Sequence, residues 1–138
     1  MPRARGVSRR ALKVSEGDIQ AAILDYLLTQ MHRNGRVVRI ERRNSGTIRR
    51  HDGSWGAAAY QVYLPWEPHP LSSGVEDITG VLFDGRHFGI EVKSATGTLR
   101  PDQRKVKNSA VFHGLLHLVA RSVDDVITWL DKVAPIGK

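Results

Sequence analysis

The chain has no cysteine, so neither a disulfide framework nor a thiolate zinc site can hold it together or do its chemistry. Long apolar runs are also missing. Stretches such as Ala21–Leu24 fall far short of the roughly 18 residues that cross a bilayer as a helix, and no apolar segment follows the N-terminal cations as a secretory signal would require. Acidic residues are scarce in three places. Residues 1–14 hold five cations and no acid, residues 33–50 hold seven arginines against Glu41, and residues 100–107 hold four cations against Asp102. The result is a net charge of +7, which points to polyanions as partners. The opposite deficit occurs from His51 to Gly80, where there are four acids and no Lys or Arg. A gap of that kind in a basic surface is where metal ions can be held.

What is present is ordinary for a globular chain. With 138 residues, 41% apolar and 25% charged, disorder and fibrous repeats are excluded, and one compact domain is expected. A chain of this length buries roughly 68% of its unfolded surface and needs no covalent staple. Residues 1–14 read as a flexible basic arm and 15–138 as a single soluble domain. Ser15 with Asp18 forms a capping signature ahead of Ile19, Ile23, Tyr26, Leu27 and Met31, so residues 16–33 are predicted to be an amphipathic helix stopped by Gly35.

Alternation from Arg36 to Arg43 predicts a half-buried strand, with Val38 and Ile40 inward and Arg39, Glu41 and Arg43 outward. Asn44, Ser45 and Gly46 turn it. Residues 47–74 read as a long loop with a short strand near Tyr60–Leu64. Asp77–Phe83 and His87–Lys93 are expected to form a hairpin about Asp84-Gly85-Arg86. Pro101 opens a helix ended by Gly114, Leu115–Ala120 is a predicted buried strand, and Ser122 with Asp125 caps a final helix. The fold class is therefore α/β, a central mixed sheet flanked by helices in the order α-β-β-β-α-β-α.

The chemistry concentrates in Asp77, Glu91 and Lys93. Glu91 and Lys93 sit at i and i+2 of one strand and share a face, and a hairpin partner beginning at Asp77 can bring its carboxylate beside them. Two carboxylates suit Mg²⁺ or Mn²⁺, which take oxygen ligands while keeping waters and substrate phosphates. The lysine can stabilise charge on a phosphate or help deprotonate a water. A Glu-x-Lys pair taken alone is more often a solvated strand face.

With these residues the sequence resembles the PD-(D/E)xK nuclease superfamily and, within it, the VRR-NUC family of virus-type replication-repair nucleases. The likeness spans Ser15 to about Val133. It rests on Glu16, Arg43-Asn44-Ser45-Gly46, Asp77-Ile78-Thr79-Gly80-Val81, Gly89-Ile90-Glu91-Val92-Lys93-Ser94, Gly97-Thr98-Leu99-Arg100-Pro101-Asp102-Gln103 and Arg121-Ser122-Val123-Asp124-Asp125-Val126. The resemblance implies a restriction-endonuclease-like core. It makes Asp77, Glu91 and the Val92 backbone carbonyl ligands of one or two Mg²⁺ or Mn²⁺ ions and Lys93 the catalytic lysine, with Glu16 and Gln103 as supporting residues. One position departs from the pattern: Glu76 stands where the family usually has proline, so Glu76 could itself reach a metal.

Around this trio, Arg39, Arg42, Arg43, Asn44, Arg49, Arg50, Arg100 and Lys105 are the candidate contacts to nucleic acid. The arginines could equally blunt a sheet edge, Asn44 could be a plain turn residue, and Glu16 is favoured at a helix first turn in any case. Trp55 and Trp66 either pack their loop down or stack on unpaired bases. The histidines show no ligand spacing, and His113 and His117 are expected to be structural. The expectation that results is a metal-dependent, structure-specific endodeoxyribonuclease of the Holliday-junction resolvase type. It would act on branched DNA as a homodimer in the cytoplasm of a bacterial or phage-infected cell. The alternatives are a flap or single-strand nuclease of the same fold and a non-catalytic basic DNA-binding protein.

Overall fold

The computed structural model describes residues 14–43, 47–49, 51–57, 61–71 and 73–137, without the side chains of 47–49 and 55–57. The basic arm up to Lys13, Asn44, Ser45, Gly46, Arg50 and Tyr60 lie outside the described residues, as do the side chains of Arg49 and Trp55.

Helix α1 spans Glu16–Arg33. The Asp18 amide donates to Ser15 Oγ at 3.1 Å, which satisfies one of the amides a helix start leaves free. Gly35, at φ 69°, donates to the Gln30 carbonyl as the left-handed residue of a helix end. Ile19, Ile23 and Leu27 recur every turn and are buried. The strands are β1 (Val37–Arg42), β2 (Thr47–Arg49), β3 (Trp55–Ala57), β4 (Ile78–Leu82), β5 (His87–Val92) and β6 (Leu116–Ala120), with α2 (Pro101–Phe112) before β6 and α3 (Val123–Val133) after it. Strands β1, β4, β5 and β6 form one mixed sheet in that order. The first two pairings are antiparallel, and β5–β6 is parallel, with α2 in the connection.

The side-chain period of two assigns the sheet's faces. Ile40, Ile78, Leu82, Phe88, Ile90, Val92, Leu118 and Ala120 face α1 and α3 and make the hydrophobic core. Deleting a core side chain such as Leu27 or Ile90 down to alanine would cost about 2–5 kcal/mol. The opposite face carries Glu41, Thr79, Gly89 and His117, which follow one another across the register from β1 to β6, and Glu91, two residues along β5 from Gly89. Helix α2 packs on the β6 side of that face through Gln103, Val106 and Ala110. The β1–β4 side stays open. The single four-stranded sheet therefore has one apolar and one polar face.

The structure corrects the sequence reading in several places. Val38 is exposed and Val37 fully buried, because β1 carries an irregularity between Val37 and Arg39; one extra residue shifts which side chains face inward. Among the described residues 61–64 no strand forms, and Val62 makes a single antiparallel bridge to Leu71 instead. Two strands that the aperiodic loop did not reveal, β2 and β3, pair as a separate hairpin. With that hairpin set aside, the order is the predicted α-β-β-β-α-β-α. Finally, β6 is mostly half-buried and Leu115 is exposed, because β6 is an edge strand.

Arg36, at the start of the predicted strand, lies just before β1 and is buried. Its guanidinium donates to Asp131 at 2.7 Å, to the Ala134 carbonyl, to Gln30 and to Tyr26. It thereby ties α1, β1 and α3 together. Burial raises the Tyr26 phenol above its ordinary pKa, opposed by the Arg36 charge beside it.

Candidate functional site

The site lies at the ends of β4 and β5 that abut the N-terminus of α2. Asp77 immediately precedes β4, anchored by the Arg43 amide, which donates to its carbonyl at 2.7 Å. Its side chain crosses to β5, where Oδ2 accepts the Val92 N–H at 2.7 Å. The N–H and C=O of a strand residue point toward the same neighbour, so the Val92 carbonyl is turned to the Asp77 side too. Glu91 comes from the middle of the polar face, 2% exposed, and Lys93, one residue past β5, is 6% exposed. The ladder continues through Lys93, whose amide donates to the Ala120 carbonyl at 2.9 Å.

Helix α2 closes the site from the other side. Its N3 residue Gln103, 6% exposed, uses both ends of its amide. Oε1 accepts the Arg100 N–H at 2.9 Å, and Nε2 donates to Glu91 Oε2 at 3.0 Å. The same side chain thus caps the helix and orients a carboxylate. Ser73 Oγ donates to Asp102 at 2.7 Å, and Gly74, at φ 96°, leaves no room for a Cβ against the Asp102 backbone. The chain leading into Asp77 is therefore seated on the first turn of α2.

Burial is the main reason the Glu91 carboxyl is pushed up to about 9, helped by hydrogen bonding and repulsion from Asp77 and opposed by Lys93 and Arg100. Two carboxyls that close cannot both ionise cheaply. A cation held between them would offset that cost. Among the described residues no three His, Asp or Glu side chains gather at one point, so a cation here would rest on Asp77, Glu91, the Val92 carbonyl and water. That all-oxygen donor set, partly protein and partly solvent, fits Mg²⁺ or Mn²⁺.

Of the supporting residues, Gln103 joins the pair directly. Glu16 does not: its side chain reaches the loop after Lys93, where a Cβ on Gly97 would come within 3.4 Å of Oε2. That loop is pinned by Arg121, whose Nη1 donates to the carbonyls of Ser94 and Gly97 at 2.7 and 2.6 Å. Glu76 turns away from the pair. It runs under Gly89, where a Cβ would collide with it, and meets His117 Nδ1 at 3.1 Å. Burial alone would raise its carboxyl; the His117 hydrogen bond, a backbone bond and the charges of His117 and Arg43 outweigh burial and hold it below its ordinary value. His117 is thus tied to Glu76, and its Nε2 is buried with no hydrogen-bond partner among the described residues. Its link to Glu76, 41 residues away, left no local signal in the sequence.

The basic candidates divide by face. Arg39 and Arg43 share the polar face, each within 4 Å of Glu41, and Arg43 Nε donates to Thr79 at 3.2 Å. Strand alternation turns Arg42 to the other side, where it is exposed. Arg43, Glu41, Thr79, Glu76, His87 and Gly89 line an open groove of about 230 Å³ beside the acidic pair. Arg100 caps α2 near Glu91. Lys105 lies further along the helix, paired with Glu67 at 3.0 Å. Compared with protein-family models, with curated proteins and with solved structures, the chain matches none.

Proposed function

We propose that this chain is a Mg²⁺- or Mn²⁺-dependent endodeoxyribonuclease with a restriction-endonuclease-like core, similar to the VRR-NUC family, that cuts branched DNA as a homodimer in the manner of a Holliday-junction resolvase. The observation that carries the reading is the meeting of Asp77, Glu91 and Gln103, with Glu91 protonated far above its ordinary range unless a cation intervenes. A divalent ion bound there supplies charge opposite the scissile phosphate and lowers the pKa of a bound water. The protein's part is positional. The Val92 amide and the Gln103 amide fix the two carboxylates, Lys93 brings a buried cation to the phosphate oxygens, and Arg43 and Arg100 hold the flanking backbone without reading sequence. A purely DNA-binding role gives no account of two carboxyls forced together on a basic surface. The exposed rings of Phe112, at the far end of α2, and of Trp66 against it favour a second reading of the same site, a flap or single-strand nuclease.

The test is cleavage of labelled four-way junction, flap, single-stranded and linear duplex DNA in Mg²⁺, Mn²⁺ or chelator. Paired symmetric nicks on the junction are expected. They should vanish in chelator and fall on the order of 10²–10³-fold in Lys93→Ala, the loss typical of removing one charge-stabilising donor. Metal-dependent cutting of flaps or single strands alone would replace the resolvase with the second reading. Tight binding without cleavage of any substrate would overturn the nuclease.

A further inference from the structure

Helix α2 carries Gln103 to the acidic pair at one end and Phe112 to the surface at the other. Nine residues separate them, about 13.5 Å of helix at ~1.5 Å per residue. Along the outer stripe of α2, Lys105, Asn108, Ser109 and Phe112 face the turn Leu64–Glu67 across a cleft of about 280 Å³. This is just under the ~300 Å³ at which drug-sized sites begin, a scale that suits one planar ring better than several. Trp66 stacks on His113 with centroids 5.6 Å apart and planes 18° from parallel, and it meets the edge of Phe112 at 5.0 Å. Both Trp66 and Phe112 are 71% exposed, so the indole face away from His113 is open.

The turn explains how the ring is held outward. Glu67 N–H donates to the Leu64 carbonyl, Pro65 occupies the second position, and Trp66 occupies the third at φ 69°. That is the type II position normally given to glycine. Trp66 is the one non-glycine residue with positive φ among the described residues. A tryptophan serving only to pin the loop would gain by burial; this one sits in a strained backbone and remains exposed.

Charge selects the occupant. A second copy of a +7 chain would bring like charges against Arg104 and Lys105, whereas a nucleic acid strand would bring phosphates to them in competition with Glu67, which already pairs with Lys105 at 3.0 Å. A stacked strand advances roughly 3.4 Å per nucleotide and an unstacked one up to about twice that, so the helix from Gln103 to Phe112 spans about two to four steps. We propose that Trp66, flanked by Phe112 and His113, is a stacking platform for an unpaired DNA base about two to four nucleotides from the acidic pair, with the intervening phosphates running along α2. This inference rests on DNA being the ligand of the site and adds a preference for unpaired bases, because a duplex keeps its bases stacked on one another.

The test is fluorescence anisotropy with a labelled oligo-dT and a duplex of equal length, in chelator so that nothing is cut. Trp66→Gly is the informative variant, since glycine suits the turn while deleting the ring. It should lose about 5- to 100-fold in affinity for the single strand, the range for one stacked base, and bind duplex within about 2-fold of wild type. Trp66→Phe should retain most of the single-strand affinity. Unchanged single-strand affinity in Trp66→Gly, or an equal loss on both DNAs, would overturn the proposal. So would light scattering that shows a wild-type dimer made monomeric by Trp66→Gly, which would make the patch an interface between copies. Failure of the nuclease reading would show separately, as absent cleavage in Mg²⁺ with this selectivity intact.

Discussion

Burial and the neighbouring Asp77 make the Glu91 carboxyl sensitive to pH. In the folded chain the Glu91 carboxyl is raised to about 9, whereas in the unfolded chain it titrates at about 4.3. Between those values the native state binds more protons than the unfolded one, so stability falls as pH rises. The contribution is complete below about pH 4.3 and lost as pH climbs through about 9. Thermal melts in chelator should therefore decline across that window, and Glu91→Gln should flatten the decline. Added Mg²⁺ should raise the melting temperature more at pH 8.5 than at pH 6, because ion and proton compete for the same place. Melts of equal slope with and without Mg²⁺ would show that no cation enters between the carboxyls. Asp77, Glu91 and Lys93 were legible in the sequence because a strand's alternation and a hairpin's length fix their meeting. The Glu76–His117 pair was not, because nothing local announces a contact between a loop and the neighbour of a neighbouring strand.

At the scale of elements, the three helices and the β4–β5 hairpin could be read from caps, periods and turn residues, which are local signals. The irregularity in β1 could not. Val37 and Val38 are chemically equivalent, and only pairing against β4 decides which faces the core. That pairing also depends on Gly80, where a Cβ would collide with the Arg39 carbonyl and the Phe88 ring. Gly80→Ala is expected to cost about 1–3 kcal/mol in urea denaturation, with Gly85→Ala at the hairpin tip costing less, since nothing lies within 4 Å of that position and only its φ of 90° resists. An unaltered midpoint in Gly80→Ala would mean that β1 and β4 can separate enough to admit a methyl group. Residues 47–71 defied sequence reading because neither period persists there and the pairings are short.

For the whole molecule, the proposed function together with the split into an apolar and a polar sheet face predicts which charges would meet DNA. A plot of log affinity against log salt should lose about 0.9 from its slope for each phosphate contact removed. Arg43→Gln, on the polar face beside the groove, is expected to show that loss. Arg42→Gln, turned to the opposite side, should leave the slope as it is. Equal losses would mean that strand wraps both faces of β1. The composition already pointed to a polyanion; the division of the arginines between faces had to await the sheet.

The parallel pairing of β5 with β6 bears on when the site comes into being during synthesis. Asp77, Glu91 and Lys93 have all been made by residue 93, yet Gln103 reaches Glu91 only from a helix that leads into β6, and the Lys93 backbone is fastened only by Ala120. Pairings that distant in sequence form after local ones. A ribosome-bound chain that stops short of β6 therefore holds the two acids on their hairpin but lacks the Ala120 carbonyl that receives the Lys93 amide. The order of the strands thus leaves the surroundings of the pair unfinished until β6 has been made.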